Sequence, residues 1–348
     1  MRIWLVAGTT ALILTPLAAT LAGVSSIDVL LRTHFHFSAT QIAEVQRGHA
    51  VSASLPGSMD REIVAAGAIR IEAPPEKLLA LVRDIETFES GTGFVTTVRI
   101  SSPPVIEDFA RLQLPPGDVA DLRRCVPGNC KLKLGRRDFD QLAAIDWNTG
   151  DANAKANQFA RRMAFQMLER YQQGGAAAVG EQIDESPARQ VAAEFTAMTK
   201  ATPWVAVAAP DLSAYLTRYP KAAAPPGMEE YFYWSIVEFS GLKKTLRLNH
   251  VVFYPLTSGD GARWVLANRQ IYASHYFQNG LELRLLVDDP AAVGRSHYLM
   301  VLNVARPDGL TGLFGPLVRY KVRSGSREAL RKTLTGTKQR CEAPESTR

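Results

Sequence analysis

The sequence lacks the short motifs that identify most enzymes that use nucleotides, zinc or an activated serine. It contains no H-E-x-x-H, no glycine-rich phosphate loop, no dinucleotide-binding fingerprint and no G-x-S-x-G. Histidine is scarce, and the closest pair, His34 and His36, has no third ligand suggested nearby. Because a zinc site needs three or four protein ligands, we expect no bound metal, and we expect no organic cofactor either.

Long hydrophobic runs are rare as well, and the N-terminus contains the one that stands out. Arg2 precedes an apolar run over residues 3–14, and small residues follow it. This order is typical of a secretory signal peptide. It predicts a signal peptide over residues 1–24, cleavage near Ala22, and a soluble mature protein that is periplasmic or secreted. An uncleaved membrane anchor is the alternative, which Pro16 disfavours.

No strong excess of charge marks the chain. The net charge of +6 over 348 residues is mildly basic, and lysine and arginine are spread along the sequence apart from residues 243–244 and the C-terminal tail. We expect no nucleic-acid partner, because an exported chain without a binding motif gives no reason for one. A mildly basic surface does permit transient contact with an anionic membrane surface.

Cysteine is almost absent, since Cys125, Cys130 and Cys341 are the only three. The first two lie in RRCVPGNCKLKL, where Pro127 and Gly128 favour a tight reversal. In an oxidising compartment this pair is expected to form a disulfide. Free or regulatory thiols are the alternative, whereas a metal site would need two more ligands and a redox centre usually has C-x-x-C spacing. Cys341 is then left unpaired on the predicted last helix.

The hydrophobic pattern changes twice along the chain. A run of β-compatible residues, REIVAAGAIRIEA, is followed by a helical pattern in PPEKLLALVRDIETFE. Residues 137–220, which we call the helical block, contain several amphipathic helix candidates. Five segments then predict strands, namely YFYWSIVEF, LRLNHVVFY, RWVLANRQIYASHYF, LELRLLVD and SHYLMVLNVAR. A last helix is expected to be capped by Ser326. This segregation indicates an α+β fold with a mostly antiparallel sheet.

The segment IRIEAPPEKLLALVRDIETF, residues 69–88, resembles the start of the START-like superfamily of SRPBCC or helix-grip proteins. The closing order of hairpins and one helix is similar to theirs. The resemblance implies a curved antiparallel sheet that grips a long C-terminal helix. It also implies one α+β domain over residues 25–348, with the helical block inserted, and a cavity for a lipid, sterol or other hydrophobic molecule. No catalytic residues are implied, because this superfamily shares none.

Several polar residues interrupt the apolar strands, and a charge that faces a core must be paired or lie beside water. Arg269 and His275 alternate onto one side of their strand, and Tyr272 alternates onto the other. The charged residues would compensate one another if their strand faces coincide; these are Glu238, Arg269, His275 and Arg306. The candidates for ligand contact are Trp234, Glu238, His250, Arg269, Tyr272, His275, Asn303 and Arg306.

Three interpretations of these residues stay open. They form a buried network or the solvent face of a sheet, they orient the polar head of an apolar ligand, or His275 or Glu238 acts as a general base. The hypothesis we take forward is an exported START-like protein that binds a hydrophobic ligand, with lipid carriage in the cell envelope as its role. One alternative is an enzyme, a cyclase, isomerase or hydrolase, that uses the His275 and Glu238 region. The other is an envelope interaction module that docks a partner through the helical block.

Overall fold

A computed structural model describes residues 27–57, 62–91, 93–200, 209–238, 242–256, 262–308 and 315–344 of the chain. The predicted signal peptide and its cleavage site near Ala22 lie outside these residues. Within the described ranges, no helix has both the length and the apolar character that crossing a membrane requires.

One large antiparallel sheet organises the fold. The strands are β1 (Val51–Leu55), β2 (Ile63–Ile71), β3 (Phe94–Arg99), β4 (Glu181–Gln182), β5 (Arg189–Gln190), β6 (Glu229–Val237), β7 (Thr245–Pro255), β8 (Ala262–Ala273), β9 (Phe277–Asp288) and β10 (His297–Pro307). Eight of them form the sheet in the order β1-β2-β10-β9-β8-β7-β6-β3, and β4 and β5 form a separate ribbon. The predicted α+β class with a large antiparallel sheet is confirmed.

The helices precede, interrupt and follow the strands. They are α1 (Ile27–Thr33), α2 (Ala39–Gln46), α3 (Pro75–Arg83), α4 (Ile85–Phe88), a 3-10 helix (Ile106–Phe109), α5 (Pro116–Leu122), α6 (Arg136–Ala143), α7 (Ala152–Val179), α8 (Val191–Lys200), α9 (Pro210–Arg218) and α10 (Gly315–Glu342). Pro75 suits the first turn of α3 because its ring fixes a helical φ angle. Asp84 separates α3 from α4 and accepts a hydrogen bond from the Thr87 backbone N–H.

The C-terminal helix α10 packs on β2 and β1. Leu330 and Leu334 are buried against Gly67 of β2, where a Cβ atom would lie 2.8 Å from Cδ1 of Leu334. Glycine therefore allows the helix to approach the strand closely. Because α10 begins at Gly315, Ser326 lies inside the helix and the prediction that it caps the helix is wrong. Gly325 did not end the helix, since one interior glycine costs only about 1 kcal/mol.

The sheet is covered on both sides. We call the side on which α3, α4 and α10 pack the α10 face, and the opposite side the block face. The core of the α10 face includes Ile69, Leu299 and Leu286 together with Leu330 of α10. On the block face, one core packs the sheet against α1, α2, α8 and α9, and a second packs it against α7.

A β-bulge between β7 and β8 changes which side Tyr272 faces. Leu248 pairs with Tyr272, whereas the next residue, Asn249, pairs with Gln270, so Ile271 is the extra residue. Tyr272 therefore shares the block-face core with Leu248 and Ile271. Simple alternation placed Tyr272 opposite to Arg269, and that prediction is wrong because a bulge shifts the alternation by one residue.

Candidate functional site

The α10 face carries a group of polar side chains on its central strands. Asn303 of β10 and Asn268 of β8 each pair with Glu282 of β9, and Gln270 of β8 pairs with Asn249 of β7. Residues opposite one another on antiparallel strands have Cβ atoms about 5 Å apart. These five residues therefore form one contiguous surface, which we call the polar patch.

A chain of hydrogen bonds fixes one end of the polar patch. Nη2 of Arg247 donates to the two carboxylate oxygens of Glu89 at 2.9 and 3.1 Å. The Tyr233 hydroxyl donates to Glu89 at 2.7 Å and accepts from Nδ2 of Asn268 at 2.8 Å. Burial raises the pKa of Tyr233 well above its usual value, so this hydroxyl keeps its proton. Since Nδ2 of Asn268 is bound to Tyr233, the opposite atom of that amide is its Oδ1 acceptor.

Four amide atoms of the polar patch are buried without a hydrogen-bond partner among the described residues. They are Nδ2 of Asn249, Oδ1 of Asn268, Nε2 of Gln270 and Oδ1 of Asn303. A buried polar atom left unpaired costs about 1–3 kcal/mol. Folded proteins pair most such atoms, and an unpaired one is often satisfied by water or by a ligand. The polar patch therefore has the chemistry of a binding surface.

A small cavity lies where the polar patch meets the apolar part of the α10 face. About 10 Å³ of it is open to the centre of a water molecule, which is room for one water. Arg284 and Glu282 at its wall form an ion pair at 2.5 Å, and the guanidinium of Arg284 lies 4.5 Å from the ring centroid of Phe88. The cavity is lined by Val82, Ile85, Phe88, Glu89, Tyr231, Val251, Leu266, Ala267, Asn268, Glu282 and Arg284.

Two of the predicted site residues, His250 and Arg269, are paired neighbours on the block face. Nη1 of Arg269 donates to the Tyr171 hydroxyl at 3.2 Å, and its guanidinium carbon lies 3.4 Å from the ring centroid of Phe195. Nε2 of His250 lies 2.8 Å from Oε2 of Glu230. Both residues are buried, and burial lowers the pKa of each. They belong to a network that joins the sheet to α7 and α8.

His275 lies apart from that network, beside the loop from Cys125 to Cys130, which we call the cysteine loop. Its Nε2 is 3.0 Å from Oδ2 of Asp118, and its Nδ1 is 2.9 Å from the Lys131 carbonyl oxygen. Each ring nitrogen therefore has a hydrogen-bond partner within the protein. Both ring nitrogens are engaged in this way, which does not favour a role for His275 as a general base.

A surface cleft of about 280 Å³ opens beside the same loop. Lys133 in its wall is buried and pairs with Asp308, which also accepts a hydrogen bond from Arg189 at 2.8 Å. Burial opposes the charge of Asp308, but Lys133 and Arg189 outweigh it and lower the pKa of this carboxyl. The lining residues include three lysines and three carboxylates, so the cleft has little excess charge to attract an ion. The cleft is lined by Gly128, Asn129, Cys130, Lys131, Lys133, Asp184, Glu185, Lys243, His275, Tyr276 and Asp308.

The remaining predicted site residues have separate surroundings. Trp234 and Tyr272 are core residues under α7. Glu238 is 52% exposed and lies 3.7 Å from the Lys244 ammonium. Arg306 donates to Glu62 at 3.1 Å.

The predicted charged set is therefore not one cluster. Glu238, Arg269, His275 and Arg306 have different neighbours, so the expectation that they compensate one another is wrong. Strand faces did not coincide because His275 follows the bulge and Glu238 follows the end of β6. Of the eight candidates for ligand contact, Asn303 is the one that lies in the polar patch.

Four residues of the polar patch were not selected from the sequence: Asn249, Asn268, Gln270 and Glu282. A signal was present, because Asn268 and Gln270 are two residues apart on one strand and Glu282 and Arg284 on the next. Such a period-two polar stripe in a buried sheet places polar atoms on a single face.

In the part of the chain that the structure describes, no three His, Cys, Asp or Glu side chains are grouped so as to hold a metal ion. No protein-family model matches the chain, and no curated protein matches it in sequence. The function is therefore inferred from the geometry.

Proposed function

We propose that the chain is an exported START-like protein that binds a hydrophobic molecule, a lipid or a sterol-like compound, between the sheet and α10. The observation that carries this proposal is the division of the α10 face. An apolar region under α3 and α4 adjoins the polar patch and its unpartnered amide atoms. A ligand with an apolar body and a polar end has the same division, and ligand sites commonly combine an apolar wall with a few polar groups.

The order of elements supports the START-like part of the proposal. β2 leads directly into α3 and α4, the strands from β6 to β10 follow one another in the sheet, and α10 returns to pack on β2. The proposal includes a sheet that curves around α10 and a space between them that widens when a ligand enters.

The proposed compartment is the periplasm or the outside of the cell. Cys125 and Cys130 form a disulfide, and disulfides persist in oxidising compartments. Together with the signal-like N-terminal sequence, this bond supports export.

Transient contact with an anionic membrane surface is part of the same proposal, and α10 is the element that supports it. Lys321 and Arg327 are exposed on this helix, and Tyr320 between two basic residues is 71% exposed. An exposed aromatic ring beside basic side chains suits the headgroup region of a bilayer. Double charge reversal, Lys321→Glu with Arg327→Glu, should abolish sedimentation with vesicles that contain phosphatidylglycerol. The control, Arg32→Glu in α1 with Arg47→Glu just after α2, should not. Equal binding by both double variants would refute the role of α10.

Native mass spectrometry of gently purified protein tests the ligand itself. We expect a stoichiometric apolar compound to be retained by the wild type and lost from Val251→Phe, because Val251 lines the cavity on the α10 face. Val29→Phe is the matched control, since Val29 is exposed on α1. Circular dichroism and thermal unfolding establish that both variants are folded. Repeated recovery of wild-type protein without any organic ligand would overturn the proposal.

The geometry gives less support to the two alternatives. The ring nitrogens of His275 are both engaged, and Glu238 is exposed beside Lys244, so neither is poised as a general base. Within the described part of the helical block, no large hydrophobic side chain is exposed, which leaves a docking surface there without apolar anchors.

A further inference from the structure

The unpartnered atoms of the polar patch specify what a ligand must offer. Two of the four are N–H donors, on Asn249 and Gln270, and two are oxygen acceptors, on Asn268 and Asn303. The Asn268 assignment follows from its neighbour, because Tyr233 gives its proton to Glu89 and must accept from Nδ2 of Asn268. A group that satisfies this patch has to donate as well as accept hydrogen bonds.

The charges around the polar patch are already neutralised. Glu282 is paired with Arg284, and Arg247 is paired with Glu89. No cationic group is left over at the patch among these residues, and the acceptors of Asn268 and Asn303 flank Glu282 on the two neighbouring strands. An anionic head would therefore meet oxygens without a compensating cation, and its desolvation would be unfavourable.

Small residues lie beside the amides of the polar patch. Gly280 lies against Gln270, whose Oε1 is 3.5 Å from the position of a Cβ atom on that glycine. Ala305 pairs with Gly280 on the neighbouring strand. The Gln270 side chain packs over this glycine, and the small cavity reaches Asn268 and Glu282 of the patch.

We infer that the polar patch binds an uncharged head group that both donates and accepts hydrogen bonds, such as the hydroxyls of a monoacylglycerol or sterol or a primary amide. Fatty-acid carboxylates and phosphate-bearing lipids are disfavoured. This inference rests on the proposed function and adds the class of ligand to it. Asn268 and Asn303 accept hydrogen bonds from the donor groups of the head, and Asn249 and Gln270 donate hydrogen bonds to its acceptor atoms.

A series of ligands that share one oleoyl chain isolates the effect of the head. Delipidated mature protein is titrated with monoolein, oleamide and oleate at neutral pH, below the concentrations at which they aggregate. We expect monoolein and oleamide to bind roughly tenfold or more tightly than oleate. Asn303→Leu and Gln270→Leu should each remove most of this difference, whereas Asn153→Leu, an exposed asparagine on α7, should preserve it.

The outcomes separate this inference from the proposed function. If none of the three compounds binds, the proposed function fails. If all three bind equally, or oleate binds most tightly, the ligand pocket stands and the head-group inference fails. If Asn303→Leu and Gln270→Leu change the thermal midpoint but not the preference among heads, the amides hold ordered water only and the inference is overturned. Because Oδ1 of Asn303 and Nε2 of Gln270 are buried without a partner in the free protein, we expect these variants to fold with an unchanged or higher midpoint.

Discussion

Nη1 of Arg269 lies 3.2 Å from the hydroxyl oxygen of Tyr171, and its guanidinium carbon lies 5.1 Å from the centroid of that ring. This contact joins the centre of the sheet to α7. The Tyr171 hydroxyl lies 3.0 Å from Nδ1 of His250, whose Nε2 faces Glu230 at 2.8 Å. Burial raises the pKa of Tyr171 to about 12, so the hydroxyl stays protonated and links the two basic side chains.

Removing the Tyr171 hydroxyl should destabilise the fold. Tyr171→Phe leaves Nδ1 of His250 without a donor and costs Arg269 one acceptor, so we expect a loss of about 1–3 kcal/mol in the free energy of unfolding. Urea titration followed by tryptophan fluorescence measures it. Tyr320→Phe is the matched control, because that ring is 71% exposed and its change should be near zero. Equal effects of the two substitutions would show that the hydroxyl does not link the network.

Sequence patterns predicted individual elements better than they predicted neighbours. Apolar alternation was enough to identify β6 to β10, and the proline pair was enough to place the start of α3. His250 and Arg269 were recognisable as polar residues in a buried strand. Their partner Tyr171 was not, because it lies in a helix that is distant along the chain and its position depends on how α7 packs.

The polar patch shows a second limit of sequence reasoning. Its members come from β7, β8, β9 and β10, and only the strand register brings them together. The bulge at Ile271 also moved Tyr272 to the block face, and a bulge has no reliable signature in a single sequence.

Acid should weaken the fold through its buried histidines. Burial is the largest influence on His250 and His297 and lowers the pKa of both from 6.5. A histidine in the unfolded chain binds a proton more readily than these two do in the folded protein. The stability that the two neutral side chains contribute is therefore present above about pH 6.5 and is lost as the pH falls. Each group contributes a slope of at most about 1.4 kcal/mol per pH unit.

The pH dependence can be assigned by substitution. His250→Gln should flatten the dependence of the free energy of unfolding on pH between about 7 and 5. The matched control is His36→Gln, because His36 is exposed. A slope that His250→Gln leaves intact would mean that His250 is protonated in the folded protein.

Cys341 should behave as a protected thiol. It is free and buried on α10, and burial raises its pKa from 9.0 to about 11. Reaction with a thiol-specific disulfide reagent should be slow at mildly alkaline pH in the folded protein and fast in guanidinium chloride. The stability that this neutral thiol contributes is complete below pH 9 and is lost as the pH rises towards about 11. Cys341→Ala should show a smaller alkaline loss, and rapid labelling of the native protein would contradict burial.

The cysteine loop should contribute local rather than global stability. Gly128 adopts a φ of +82°, which favours glycine, and the turn from Val126 to Asn129 brings Cys125 and Cys130 together. Since the bond closes a short loop, the chain-entropy model gives a loss of roughly 2 kcal/mol for the double substitution of both cysteines by alanine. Hydrogen exchange should rise at the amides of Gly128 and Cys130, which donate to the carbonyl oxygens of Ile183 and Asp184, while β7 and β8 stay protected. Dithiothreitol should lower the stability of the wild type by the same amount and leave the double variant unchanged. Faster exchange across the central strands would instead mean that the disulfide holds the sheet itself.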